Sequence, residues 1–384
     1  MPKTFSGNRV HKAGKQLIGH DKEAHDEAFE VLSYWRFSHE KPLENALTIL
    51  GKIATSRDKN AIFAKRLKRY RSISGKLERF PDMSLKTMQD IGGCRAIVST
   101  TKQVKQIVRE LKKRPQFKNS LGKVRFKDYL DRPKKDGYRG YHLVGKFDDG
   151  VGEKRNIELQ IRTKLQHDWA TTLEVVELFT GQALKSNRGS EDWHEFFQEV
   201  STQFAIMEKA SLFQTLKHSQ KLEAYGRHLL AGDGKKDDRI RSCIAVKNQA
   251  SRLNINSILE AYAHSLKITD DWLKQSSVDG YVLLEVETNW PNQSTVKGKL
   301  FLKEDIEEAE RIYTQLEKST AETQNKVVAL LSTTAVDGIR EAYPNYFADS
   351  TDFLKHLRLV LEAPVYLPKK RSLSNGFGLF KGNK

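Results

Sequence analysis

The apolar positions near the start of the chain recur every three or four residues, a spacing that places them on one face of a helix. The repeat runs through Leu43, Ala46, Leu47, Leu50 and Ile53. We therefore expect residues up to about 55 to be helical. A second amphipathic stretch predicts a helix from about residue 61 to 79, and Pro81 ends this pattern.

Short runs of strand-like composition alternate with helical patterns in the next part of the chain. The expected strands are 94–99, 124–129, 141–147 and 155–162. Between the first two strands, Thr100 or Thr101 is suited to cap a helix. Strands interleaved with helices up to about residue 180 predict an α/β domain built on a single mixed sheet.

The pattern changes twice more towards the C-terminus. Residues from about 190 to 275 favour helices, and a β-β-α-β unit is expected from about 280 to 334, with a last helix at about 352–362. We therefore expect an α/β domain, a helical connector and a small α+β domain that includes the last helix. Their expected limits are 1–185, 186–275 and 276–384.

Composition excludes several classes of protein. No apolar stretch approaches the ~18 residues that a membrane span requires, and the N-terminus lacks the apolar segment of a secretion signal. The two cysteines, Cys94 and Cys243, are too few for a disulfide framework or a cysteine-rich zinc site. We therefore expect a cytoplasmic protein.

Positive charge is concentrated in one part of the chain. The net charge is +17. Residues 55–140 alone hold 25 Lys or Arg and 8 Asp or Glu, which also leaves a balance of +17, so the remainder is neutral overall. A block this basic indicates a polyanionic partner, such as nucleotide phosphates or RNA. A solvated basic surface is the alternative.

Two of the four motifs that carry candidate chemistry contain carboxylates. In the strand at 155–162, alternate side chains share a face, which sets Glu158, Gln160 and Arg162 in a row. Asp90 precedes a Gly-Gly pair that allows a tight turn into the strand at 94–99. Asp90 and Glu158 form a candidate Mg²⁺ pair, because Mg²⁺ takes one or two carboxylates together with substrate phosphates. The alternative for the strand is an ordinary amphipathic strand with one solvated face. The alternative for Asp90 is an ordinary turn aspartate.

The other two motifs contain cations. Arg66, Lys68, Ser72 and Lys76 provide donors suited to a triphosphate, and their spacing is not the GxxxxGK[ST] pattern of a P-loop. The stretch from Lys127 to His142 predicts a loop between two strands, whose tyrosines and cations can stack a base and hold its phosphates. A basic helix and an ordinary surface loop are the alternatives.

Together and in this order, the four motifs resemble the synthetase domain of the RelA/SpoT family over about residues 40–180. The last motif stands here as Glu158, Gln160, Ile161, Arg162, Thr163, His167, Trp169 and Ala170. The resemblance implies a RelA/SpoT nucleotidyltransferase-like fold with a mixed sheet. It also implies an ATP-dependent pyrophosphokinase that uses Mg²⁺ to move the β,γ-pyrophosphate of ATP onto a ribose hydroxyl.

The resemblance implies a role for individual residues. The catalytic residues would be Glu158, Asp90, Arg95 and Gln160, and the metal ligands would be Asp90 and Glu158. The ATP site would consist of Arg66, Lys68, Ser72, Lys76 and Arg95. The acceptor site would consist of Lys134, Tyr138, Arg139 and His142. Arg69, Gly140 and Tyr141 depart from the family's pattern. The last two lie on the acceptor loop, so the identity of the acceptor stays open.

The C-terminal half resembles the CapRel group of fused toxin–antitoxin proteins. In that group a pseudo-zinc-finger domain inhibits the synthetase in cis, and a Y-x-x-Y motif occupies the ATP adenine site. Tyr343 and Tyr346 match this motif. The resemblance implies an autoinhibited enzyme of phage defence, released when a phage protein such as a capsid component binds the C-terminal domain.

Three hypotheses about function follow. The first is pyrophosphate transfer to the 3′ CCA end of tRNA, which blocks translation; the basic block favours it because tRNA needs many cations. Lys112-Lys113-Arg114, with Lys123 and Arg125, is the candidate RNA surface, and solvated faces are the alternative. The second is a (p)ppGpp synthetase that uses GDP or GTP as acceptor. The third is a catalytically inactive protein that binds RNA or nucleotide, against which the near-complete motif set argues.

Overall fold

The structure is a computed structural model. It describes residues 4–19, 22–150, 152–180, 184, 190–255, 259, 280–289, 293–320, 326–332 and 351–365. Its helices are α1 (Gly7–Gln16), α2 (Lys22–Phe37), α3 (Glu40–Thr55), α4 (Tyr70–Arg79), α5 (Thr101–Lys113), α6 (Lys164–Thr180), α7 (Glu191–Met207), α8 (His218–Leu229), α9 (Lys236–Arg252), α10 (Ile306–Thr320) and α11 (Thr351–Glu362). Its strands are β1 (Ile62–Leu67), β2 (Gly92–Val98), β3 (Arg125–Asp128), β4 (Tyr141–Asp148), β5 (Lys154–Thr163), β6 (Gly280–Asn289), β7 (Gln293–Leu302) and β8 (Lys326–Ser332).

A five-stranded sheet organises the N-terminal half, with the order β1-β2-β5-β4-β3. The β2–β5 pair is parallel, and the other neighbouring pairs are antiparallel. The predicted α/β domain with a mixed sheet is therefore confirmed.

One face of this sheet is apolar and packs against α3 and α5. Ile157, Leu159 and Ile161 are fully buried on it, as the alternation of β5 predicts. Helix α5 begins at a capping box, in which the Thr100 hydroxyl accepts from the Gln103 amide and the Gln103 side chain accepts from the Thr100 amide. This cap fixes where the helix starts after β2, and it confirms Thr100 as the capping residue.

The prediction of one helix from about 61 to 79 is wrong for its first half, and only the second half is helical. Residues 62–67 form β1, which pairs antiparallel with β2 and places Arg66 opposite Gly93. Helix α4 starts afterwards at Tyr70. The hydrophobic spacing could not reveal the strand, because pairing with β2 satisfies its backbone and overrides local propensity.

A second core joins the helices that follow the sheet. Side chains of α6, α7, α8 and α9 pack together in it, and so do Phe353 and Leu357 of α11. Helix α11, which is predicted as part of the small C-terminal domain, has its apolar face buried among these helices. The predicted limits at 185/186 and 275/276 lie outside the described residues and stay predictions.

The expected β-β-α-β unit is present in the C-terminal part. Strands β6, β7 and β8 form an antiparallel sheet in the order β7-β6-β8, and α10 packs on it through Ala309 and Tyr313. The likeness of this unit to a zinc finger stays a prediction. Among the residues described, no helix is long and apolar enough to cross a membrane.

Candidate functional site

The polar face of the five-stranded sheet gathers the charged motifs. Residues paired across neighbouring strands share a face, so Arg95 of β2, Gln160 of β5, His142 of β4 and Lys127 of β3 form one row. One step along the sheet, Glu158 pairs with Gly93, whose missing side chain leaves space beside the carboxylate. The sheet therefore brings residues from three motifs, far apart in sequence, to one surface.

Asp90 lies just before β2 and is held by two lysines. Its two carboxylate oxygens each accept from a lysine at 2.8 Å, one from Lys68 and the other from Lys76. These side chains are between 16% and 24% exposed. Burial alone would raise the pKa of Asp90, but the two ammonium groups lower it below its usual value. Asp90 is therefore ionised at neutral pH within a compact group of charges.

Glu158 is the second carboxylate of the site. Its Oε2 accepts from the amide of Gln160 at 2.8 Å, and its Oε1 lies 3.1 Å from Nδ1 of His142. Burial would raise the pKa of Glu158, yet His142, Gln160 and the nearby charge of Lys68 bring it well below its ordinary value. Glu158 is therefore ionised at neutral pH and held by partners on β4 and β5.

Three arginines converge beside these carboxylates. Burial, followed by the charges of Arg162 and Arg66, lowers the pKa of Arg95 to about 9, and the Arg95 guanidinium donates to Oε1 of Gln160 at 3.4 Å. Arg162 is also buried and contacts Nδ1 of His167. A cluster of like charges at this density is a site suited to an anion.

The acceptor loop forms an aromatic group at the edge of the same face. The Tyr138 hydroxyl lies 2.7 Å from Nε2 of His142, and the ring of Tyr138 makes edge contacts with Tyr129, His142 and Trp169. Nζ of Lys134 lies 4.7 Å from the centre of the Tyr138 ring and 4.9 Å from that of Tyr129. The loop thus combines aromatic surface with a cation, as a base and its phosphates would require.

Helix α7 holds this loop in place. The Ser201 hydroxyl donates to the carbonyl of Gly137, and the Gln198 side chain donates to the carbonyl of Lys135. Gly137 has a φ of +90°, and a Cβ added there would lie 3.0 Å from Cα of Gln198. The approach of the two backbones therefore requires glycine.

Most of the predicted site residues meet on one surface, and a few lie elsewhere. The group that meets comprises Asp90, Glu158, Gln160, Arg66, Lys68, Lys76, Arg95, Lys134, Tyr138 and His142. Ser72 is exposed in the first turn of α4, on the same helix as Lys76. Arg139 lies near Glu208, whose pKa burial raises, and Thr163, Arg139 and Gln166 offset only part of that rise. Tyr343 and Tyr346 lie outside the described residues.

Tyr129 and Arg162 were not among the predicted site residues, although both lie within the motifs. Tyr129 contacts Tyr138 and His142, and burial and the charge of Glu158 raise its pKa. Arg162 stands two positions after Gln160 on the polar face of β5. Strand alternation gave the signal for Arg162, whereas the position of Tyr129 depends on how the loop folds back onto β4.

The carboxylates of Asp90 and Glu158 are ligands of the kind that Mg²⁺ takes, and their role in binding it stays a prediction. In the part of the chain that the structure describes, no group of three or more His, Cys, Asp or Glu is arranged to hold a metal by itself. Two carboxylates are what Mg²⁺ takes when phosphates and water complete its octahedral coordination. The donor set therefore suits a metal–nucleotide complex better than a resident metal.

Comparison with known proteins places a family region over this site. Residues 65–175 match the model described as the region found in RelA / SpoT proteins. The chain is 36% identical over 111 residues to GTP pyrophosphokinase YjbM of Bacillus subtilis (strain 168), a match that covers 28% of this chain and 51% of that protein. The chain thus spans about half the length of this curated relative.

Solved structures are similar over part of the chain. Small alarmone synthetase 1 from Bacillus subtilis, bound to its product pppGpp, matches with 24% identity and a TM-score of 0.38, over 45% of this chain and 90% of that one. Small alarmone synthetase 2 from the same organism matches with 23% identity and a TM-score of 0.37, over 46% and 92% of the two chains. The resemblance of the motifs to a RelA/SpoT synthetase region is confirmed by the family model at residues 65–175, whereas the likeness to the CapRel group stays a prediction.

Proposed function

We propose that this protein is an ATP-dependent pyrophosphokinase. The observation that carries the proposal is the polar face of the sheet, where His142 and Gln160 contact the Glu158 carboxylate within a region that matches the RelA / SpoT model. In the reaction, a ribose hydroxyl of the acceptor attacks the β-phosphorus of ATP. The bond from that phosphorus to the oxygen of the α-phosphate breaks, AMP leaves, and the hydroxyl proton passes to a base or to water.

The chain's own residues position the two substrates and offset charge. Lys68 and Lys76, with Ser72, bind the phosphates of ATP, and Arg66 and Arg95 flank its adenine. Gln160 and His142 orient the Glu158 carboxylate through the bonds described above. Asp90 and Glu158 would hold Mg²⁺ against the phosphates, where it neutralises charge as the hydroxyl attacks. Catalysis of this kind is mostly positioning and electrostatics.

The acceptor that we propose is the 3′ CCA end of tRNA, and modification there would block translation. The basic block supports it, since tRNA binding needs cations beyond the active site. Exposed Lys113, Arg114, Lys123 and Arg125 lie on the chain around the edge strand β3. The polar face of β3 also adds Lys127 in register with His142, which connects this surface to the site.

GDP or GTP is the second candidate acceptor, which would make the protein a (p)ppGpp synthetase. The name of the relative, GTP pyrophosphokinase, favours it. The aromatic group of Tyr129 and Tyr138 is suited to either acceptor, because every base offers a face for stacking. A catalytically inactive RNA- or nucleotide-binding protein is disfavoured, since the set of synthetase motifs is nearly complete.

We further propose that the C-terminal part inhibits the enzyme in cis, in the manner of the CapRel group, and that a phage protein releases it. The support is the β-β-α-β unit together with Tyr343 and Tyr346 in the sequence. A toxic enzyme needs such a restraint, and a two-state switch provides one.

The test uses γ-³²P-labelled ATP with Mg²⁺, the full chain and a Tyr343→Ala/Tyr346→Ala variant. Deacylated tRNA, GDP and GTP are offered side by side. Label on tRNA supports the first acceptor, and label on the guanosine nucleotides alone supports the second. If neither protein labels any acceptor while both bind ATP, the proposal of a pyrophosphokinase is wrong.

A further inference from the structure

A buried charge contact joins the C-terminal unit to the helix that is proposed to hold the phosphates of ATP. Oε2 of Glu317, on α10, accepts from Nη1 of Arg36 on α2 at 3.0 Å, and Oε1 accepts from the backbone amide of Tyr70 at 2.8 Å. The second guanidinium nitrogen of Arg36 donates to the Tyr313 hydroxyl at 3.1 Å. We call these bonds the Glu317 contact.

The contact is buried and its charges are balanced. The side chains of Arg36 and Glu317 are 5% and 7% exposed. Burial would lower the pKa of Arg36, but Glu317 and Tyr313 raise it above the usual value, so the guanidinium stays charged. Each charge here depends on the other, because an unpaired ion at this depth is strongly unfavourable.

Glu317 also provides a cap for the N-terminus of α4. The residue before the helix, Arg69, makes no capping bond with its side chain, and the first amides of a helix have no partner within it. Glu317, which lies 247 positions further along the chain, provides the acceptor for Tyr70 instead. The N-terminus of α4 is thus capped by a carboxylate from the C-terminal unit.

The position of this carboxylate bears on ATP binding. Tyr70 lies two residues before Ser72 and two after Lys68, within the proposed phosphate-binding segment. The Glu317 carboxylate takes an amide at the first turn of α4 that an anion would otherwise use. The same bond holds the C-terminal unit against the synthetase region.

We propose that Glu317 is a regulatory residue, through which the docked C-terminal unit lowers the affinity of α4 for ATP. The proposal rests on the proposed function in one respect, namely that α4 helps to hold ATP. Withdrawal of α10 removes the carboxylate from α4 and the counter-ion from Arg36 in a single movement. Docking and ATP binding therefore oppose each other.

The first experiment measures the affinity of the full chain for a non-hydrolysable ATP analogue with Mg²⁺, by calorimetry. Glu317→Gln keeps the size of the side chain, removes its charge and leaves Arg36 without a counter-ion. We expect the analogue to bind at least about tenfold more tightly, because the binding-competent form no longer has to be released from the docked one. Glu308→Gln is the matched control, since it makes the same change on the same helix at an exposed pair with Lys299.

Hydrogen exchange is a second measurement, and a change in affinity for the ATP analogue alone would not alter it. Amides of residues 70–73, at the start of α4, should exchange faster in Glu317→Gln than in the parent chain or in Glu308→Gln. If Glu317→Gln does not fold, Glu317→Asp keeps the charge but shortens its reach, and should show the same changes to a smaller extent. Unchanged or weaker analogue binding in a folded variant would overturn the proposal.

The outcomes separate this inference from the proposed function. Tighter analogue binding by Glu317→Gln without label on any acceptor would support the regulatory contact and contradict the proposed pyrophosphokinase activity. Conversely, label transfer by the Tyr343→Ala/Tyr346→Ala variant, with no gain in the affinity of Glu317→Gln for the ATP analogue, would support the pyrophosphokinase activity and contradict the regulatory role of Glu317.

Discussion

His142 lies against Glu158 across two neighbouring strands, with 3.1 Å between Nδ1 and Oε1. Because the carboxylate is ionised and can only accept, Nδ1 donates to it. Nε2 of the same ring lies 2.7 Å from the Tyr138 hydroxyl. The two bonds link the acceptor loop to the proposed metal ligand through one imidazole.

The first prediction concerns the charge of Glu158. Glu158→Gln keeps the shape of the side chain but removes a ligand charge, so we expect pyrophosphate transfer to fall by roughly a thousandfold or more. Glu153→Gln, at an exposed position just before β5, is the control. Substantial transfer by Glu158→Gln would contradict the assignment of the metal site.

The second prediction concerns the link from Tyr138 to His142. Tyr138→Phe keeps the ring but removes the hydroxyl that fixes the imidazole, so kcat should fall about tenfold, the equivalent of one hydrogen bond. KM for ATP should not change, because the bond lies on the acceptor side. Steady-state kinetics with each acceptor check this, with Tyr34→Phe as the control, since Tyr34 lies on α2 and packs against Phe5. An equal loss in both variants would indicate a general effect on the fold.

The third prediction is a stability effect at Asp90. Asp90→Asn leaves Lys68 and Lys76 without their shared counter-ion, and should lower the free energy of unfolding at pH 7 by about 2 kcal/mol. The folded pKa of Asp90 is below its ordinary value of 3.8. The stabilisation is therefore present above that pH and is lost as pH falls through the folded pKa. Urea unfolding at several pH values should show the two proteins converging in acid.

The fourth prediction is a pH dependence of docking. Burial, followed by the charges of Glu40 and Glu307, raises the pKa of Glu310 on α10 to about 7, against an ordinary value of 4.5, and Arg36 offsets only part of this rise. Docked Glu310 therefore holds a proton that a solvated carboxyl releases. Docking should weaken as pH rises between these values, so the start of α4 should exchange faster. Hydrogen exchange corrected for intrinsic rates checks this, and Glu310→Gln should remove the dependence.

The fifth prediction separates the two acceptors. Arg114→Gln and Lys123→Gln remove exposed cations from the candidate RNA surface, and they should weaken transfer to tRNA while leaving GDP and GTP unaffected. The slope of log affinity against log salt should fall by about 0.9 for each phosphate that the variant no longer neutralises. Lys236→Gln, at the start of α9, is the control. Equal transfer to tRNA in all variants would show that this surface does not hold RNA.

Local sequence patterns predicted the residues of the site better than they predicted the long-range contacts that hold those residues in place. Alternation along β5 placed Glu158 and Gln160 on the polar face, and the structure confirms this. Strand β1 was missed because its partner β2 lies about 30 positions further on. The Glu317 contact had no local signal at all, since Arg36 and Glu317 are 281 positions apart.

The placement of α11 determines how the C-terminal unit can move. Phe353 and Leu357 share one core with Ile255 and Leu259, so the chain leaves the helical body before the β-β-α-β unit and returns to it afterwards. A segment anchored at both ends cannot diffuse away when α10 separates from α2. Its effective concentration at the docking surface stays high and does not depend on protein concentration. Any molecule that keeps the unit apart must therefore compete with an intramolecular partner that dilution never removes.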